Sequence, residues 1–83
     1  MFINKAKDGR NNLCGHNVAK HRVLLGLSQR ALADKLQVNG LDIDKNAIQR
    51  IEAGKRFVTD IELSILSQVL NQPITELIAE EHT

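Results

Sequence analysis

The sequence predicts an all-α fold, a compact bundle of five short helices, and three observations lead there. Apolar residues recur at three- and four-residue spacings in several separate stretches. Start signals precede those stretches: Ser28, Asp44 and Thr59, the last followed at N3 by Glu62. Stop signals close two of them at Gly26 and Gly54, and Pro73 opens a final short helix.

The first twelve residues have little periodicity and carry Lys5, Lys7 and Arg10, so 1–12 reads as a flexible basic tail. The first helix is expected from near Leu13 to Leu25, because Cys14, Val18, Arg22 and Leu25 fall at i, i+4, i+8 and i+11. Ser28 caps the second helix, with Gln29 in its first turn. Ala31, Leu32, Leu36 and Val38 form its apolar face, and Ala33 is small enough for a neighbour to approach. Asn39-Gly40 begins a turn, and Asp44 caps a third helix over about 45–53, with Ile48 and Ile51 inward. Thr59 and Glu62 form a capping box for a fourth helix that reaches about Leu70, with Leu63, Leu66 and Leu70 on one face. The fifth places Ile74, Leu77 and Ile78 inward. The domain is therefore expected over 13–79, with 80–83 a C-terminal tail.

A chain of 83 residues makes one domain with a modest core. It has no apolar run long enough to span a membrane, and its polar N-terminal stretch lacks the apolar region of a secretion signal. The single cysteine, Cys14, cannot close an internal disulfide, which fits a reducing cytoplasm. There is no Trp or Tyr, which argues against an aromatic platform for unpaired bases. The net charge of +1 conceals a division: all eleven Lys and Arg lie in 1–56, and 57–83 holds only acids. One half suits a polyanion and the other faces away. Cys14, His16 and His21 do not share one face at metal-ligand spacing, so no metal is expected. No catalytic arrangement of Ser, His or paired carboxylates is recognisable; an enzyme, a cofactor and a small-molecule ligand are not expected.

The second and third helices follow each other across a polar turn, each with its own start signal, which is the grammar of a helix-turn-helix. Arg22 with Gly26-Leu27-Ser28-Gln29, then Leu32-Ala33 and Leu36, then Ile48, Ile51-Glu52 and Gly54-Lys55 come in a defined order. Leu66, Leu70 and the Ile74 to Leu77 ending complete it. Together these residues resemble the phage repressor/Cro (Xre) family of DNA-binding domains, over about residues 13–78. The resemblance implies a lambda-repressor-like bundle and a sequence-specific, double-stranded DNA-binding transcriptional regulator, with repression the expected mode. The third helix would lie in the major groove. Lys45, Asn46, Gln49 and Arg50 are then the base readers, since Ile48 and Ile51 point inward; Asn or Gln can pair two-pronged with adenine, and Arg or Lys with guanine. Ser28 and Gln29 at the start of the second helix would meet phosphate, where free amides attract anions. Lys55 and Arg56 would grip the backbone without sequence preference. Arg22 and Glu52 are implied to form a structural ion pair. A homodimer on a roughly palindromic site would supply enough contacts, with half-sites about one helical turn apart and the fourth and fifth helices away from DNA.

Two features depart from the family. Between Leu36 and Ile48 the chain has about five more residues than the usual connection, so 38–44 forms a longer loop or lengthens a helix, with Leu41 and Ile43 as anchors. His21 stands where the family usually has an apolar residue. The rival reading keeps the fold and makes it a protein-interaction module, an antitoxin or anti-repressor. Val23 and Leu24, off the first helix's stripe, are the residues that would serve it.

Overall fold

The computed structural model describes residues 5–80. Five helices and no strand are present among them: α1 Gly15–Leu24, α2 Gln29–Val38, α3 Lys45–Glu52, α4 Asp60–Leu70 and α5 Ile74–Leu77. The all-α expectation holds, element by element.

Local chemistry sets the helix starts. Ser28 Oγ accepts from the Ala31 amide at 2.9 Å and Asp44 Oδ1 from the Ala47 amide at 2.8 Å. Thr59 and Glu62 form the full reciprocal box at the head of α4. α1 is capped from further upstream: Asn12 Oδ1 accepts from the Gly15 amide at 2.8 Å. At Gly15 a side chain would collide with the Ile51 carbonyl, so only glycine lets α1 begin directly against the end of α3.

One core joins all five helices. Val18 of α1, Leu32 and Leu36 of α2, Ile48 and Ile51 of α3, Leu66 and Leu70 of α4 and Leu77 of α5 are fully buried. α3 packs on α1 and α2, while α4 and α5 close the far side against α1. The long connection is partly absorbed by α2, which runs on to Val38; the remaining loop is pinned by Ile43, which is 4% exposed. Gln37 Nε2 donates to the Ile43 carbonyl at 2.8 Å and holds the loop against the helix it leaves. Leu41 packs half-buried beside it.

Several expected core positions differ, for reasons of geometry. Val38 is 87% exposed. It lies two residues beyond Leu36, which on a helix is the opposite side. Leu25 is 51% exposed because α1 ends at Leu24 and the stripe cannot continue through the turn at Gly26. Buried His21 takes the inward place at that end of α1. Its Nε2 lies 3.1 Å from Glu76 Oε1, and Lys20 Nζ is 3.8 Å from the same oxygen. In the single turn of α5, only Leu77 reaches the core, and Ile74 and Ile78 sit at its exposed rim.

The N-terminal segment is not a free tail over residues 10–12. Arg10 Nη2 donates to the Glu52 carbonyl at 2.7 Å, and Asn12 Nδ2 to that of Ile51 at 3.0 Å. The carbonyls at the end of α3 have no partner within the helix, and these donors supply one. The expectations for residues 1–4 and 81–83, parts of the two tails, lie outside the described residues.

Ile43→Ala should cost about 2–4 kcal/mol of stability, the range for emptying a buried aliphatic site. Val38→Ala should stay within about 0.5 kcal/mol. Urea unfolding of the two variants measures both, and equal losses would contradict the anchoring of the loop by Ile43.

Candidate nucleic-acid interface

α3 is a two-faced helix of eight residues. Ile48 and Ile51 are buried at i, i+3, which turns Lys45, Asn46, Gln49 and Arg50 outward, and all four are exposed. Lys45 with Gln49, and Asn46 with Arg50, stand at i, i+4 and make two adjoining rows. The surface therefore offers two cations and two amides side by side, groups able to donate and accept along the edges of base pairs.

The orientation of this face is set at its far end by Glu52. Arg22 Nε donates to Glu52 Oε2 at 2.6 Å and Arg22 Nη2 to Oε1 at 3.0 Å, a two-pronged pair between α1 and α3. Gln29 Nε2, from the first turn of α2, donates to the same Oε1 at 3.0 Å. Arg22 Nη1 also donates to the Leu27 carbonyl at 2.8 Å, so the turn between α1 and α2 is tied to the same group. Both charged side chains are nearly buried, at 15% and 10% exposure. The hydrogen bond to Glu52 holds the Arg22 guanidinium firmly in its charged form, against the opposing effect of burial.

The residues expected at phosphate divide into two kinds. Ser28 and Lys55 are exposed. Gln29 is half-buried, with one amide hydrogen committed to Glu52. Arg56 is partly exposed and ion-paired within the chain. Its Nη1 and Nη2 donate to Glu62 Oε1 at 3.1 Å and Oε2 at 2.8 Å. This pair lies outside the sequence expectation and forms because a carboxylate at N3 of α4 lies within reach of the guanidinium. The hydrogen bond from Arg56 holds the Glu62 carboxyl below its ordinary 4.5; burial opposes this and the Thr59 amide assists it.

Arg10, Asn11 and Asn12 were absent from the expected site, yet they touch the segment that follows α3. Their only sequence signal was three adjacent side chains rich in donors, which periodicity does not register. Cys14 is buried, and burial pushes its thiol up to about 11, which leaves it inert as a nucleophile. Among the described residues no group of three or more His, Cys, Asp or Glu side chains is placed to hold a metal, and no helix is long and apolar enough to cross a membrane.

The helix-turn-helix family model matches residues 18–77. The crystal structure of the restriction-modification controller protein C.AhdI from Aeromonas hydrophila superposes with a TM-score of 0.66 at 27% sequence identity, covering 76% of this chain and 84% of that one. No curated protein matches.

Glu52→Ala should lower stability by about 2–4 kcal/mol, somewhat under the range for breaking a fully buried pair, read as a shift in the urea midpoint. An unchanged midpoint would mean that the three-helix network contributes nothing. The depressed Glu62 adds stability that is fully present above its unfolded value of 4.5 and is lost as pH falls through the lower folded value. Melting temperatures followed down to about pH 3 should therefore fall less steeply in Glu62→Gln than in the parent; parallel curves would remove Glu62 from the acid response.

Proposed function

We propose, on the premise that this chain belongs to the helix-turn-helix family of the phage repressor/Cro (Xre) type, that it is a sequence-specific, double-stranded DNA-binding transcriptional regulator acting as a repressor. Family membership supports the coarser statement, a DNA-binding regulator rather than an enzyme. The observation that carries the finer one is the exposed row of Lys45, Asn46, Gln49 and Arg50 on a helix whose other face is buried and whose end is pinned at Glu52.

In this reading α3 enters the major groove and its four polar side chains read base edges. The start of α2, with Ser28 and the remaining amide hydrogen of Gln29, lies on a phosphate, where the helix dipole favours an anion. Lys55 grips the backbone next to it. Arg56 contributes by holding the loop to α4 through Glu62, not as a second free cation. Four base-reading side chains are few for tight binding, so two copies act together on a palindromic site, with α4 and α5 turned from DNA. The protein works in the cytoplasm.

Selection from a random double-stranded pool at moderate salt tests the reading. An enriched palindrome is expected. Arg50→Ala should then weaken the enriched site by about 1–3 kcal/mol while leaving random DNA nearly unchanged. Lys55→Ala should weaken all sequences alike and flatten the salt slope by about one unit. Absence of enrichment would favour the protein-interaction reading, for which Val23 and Leu24, 64% and 71% exposed, offer an apolar surface.

A further inference from the structure

The segment after α3 leaves the helix through Gly54, at φ +76°, and has no secondary structure until α4 begins at Asp60. Such a stretch would ordinarily be loose. Here it is held from outside by the N-terminal segment. The Asn11 amide donates to the Gly54 carbonyl at 2.8 Å, and Asn11 Nδ2 to the Lys55 carbonyl at 3.0 Å. Asn12 Nδ2 reaches the Arg56 carbonyl at 2.8 Å as well as that of Ile51. The Arg10 side chain lies across Gly54 so closely that an added Cβ there would stand 2.6 Å from its Cζ. Its positive charge sits at the negative end of α3, where the helix dipole welcomes it.

Lys55 is the residue most affected. Its amide donates back to the Arg50 carbonyl at 2.9 Å, and its own carbonyl is taken by Asn11. The peptide is thus fixed on both sides while the side chain stays exposed, with no ion pair among the described residues. Asn11 Oδ1 is buried without a partner, so the orientation of this side chain follows from the bond that its Nδ2 makes to Lys55. A cation on a floating loop loses ordering entropy when it meets an anion, and one on a fixed backbone loses less.

We propose that Asn11 is a positioning residue for Lys55: by holding the Lys55 carbonyl, on a base fixed by Arg10 and Asn12, it presents the ammonium group to a DNA phosphate at a set place. The proposal rests on the reading of Lys55 as a phosphate contact. It gives the N-terminal segment a role in binding without any contact of its own to DNA.

The test is a double-mutant cycle of Asn11→Ala and Lys55→Ala on a random-sequence duplex, with affinity followed against salt at a temperature where circular dichroism finds each variant folded. Asn11→Ala should weaken binding by about threefold, the scale of one hydrogen bond, and lower the salt slope toward that of Lys55→Ala. The double variant should be no weaker than Lys55→Ala alone, because there is then no ammonium to position. A general loss of stability would leave the salt slope of the folded protein unchanged. Asn11→Leu, which keeps the size and removes the donor without adding charge, replaces the alanine variant if that one does not fold. Asn11→Ala with wild-type affinity and slope, or with a loss that adds in full to that of Lys55→Ala, would overturn the proposal while leaving Lys55 a phosphate contact. A Lys55→Ala variant that itself binds as the parent does would instead sink the underlying reading, and the proposal with it.

Discussion

The Glu52 carboxylate is the group on which the arrangement of the first three helices depends. It is the last residue of α3, and it accepts from Arg22 of α1 and Gln29 of α2. A hydrophobic core alone permits one helix to roll or slide on another at small cost, since apolar contact has no direction. A carboxylate with three donors in fixed geometry does not. The bonds at Glu52 therefore fix the end of α3 against α1 and α2, while Ile48 and Ile51 decide which of its side chains face solvent. Desolvating two charges is expensive, so the network is better understood as specifying a geometry than as a large source of stability.

The division of charge along the sequence takes on a different meaning in three dimensions. Two of the acids in the C-terminal third are counter-charges for the basic part of the chain: Glu62 for Arg56, and Glu76 for Lys20, with His21 Nε2 against the same Glu76 oxygen. The asymmetry is thus partly an internal ion-pair scheme that ties α1 and the post-α3 loop to α4 and α5. Asn17 reinforces it, donating to the carbonyls of Leu77 and Ala79 at 3.0 and 2.9 Å. Among the described residues the cations outside any ion pair are Lys5, Lys7 and Arg10 of the N-terminal segment, Arg30 and Lys35 of α2, Lys45 and Arg50 of α3, and Lys55.

The helices were legible because their signals are local. Ser28, Asp44 and Thr59 cap their own first turns, and the spacing of Ile48 and Ile51 turns the polar residues of α3 outward whatever surrounds it. Leu25 differs because the stripe was carried past the end of α1, and Val38 because two residues beyond Leu36 is the opposite side of α2. The pairing of Arg56 with Glu62 was hidden because Glu62 already had an evident role in the capping box, and a carboxylate can accept several bonds at once. Arg10, Asn11 and Asn12 were hidden for a deeper reason. Their partners are backbone carbonyls, which every residue carries, so no side-chain pattern marks them.

The docking of residues 10–12 on 51–56 also has a consequence in time. These bonds join positions 39 to 44 residues apart. Closing a loop of that length costs entropy before any bond repays it, whereas α2 and α3 meet across only the residues between Val38 and Lys45. During synthesis residues 10–12 leave the ribosome before residues 51–56, so their last acceptor does not exist until residue 56 has been made. Residues 10–12 therefore wait for 51–56 before they can pair, and the end of α3 becomes fully bonded only when both segments are present.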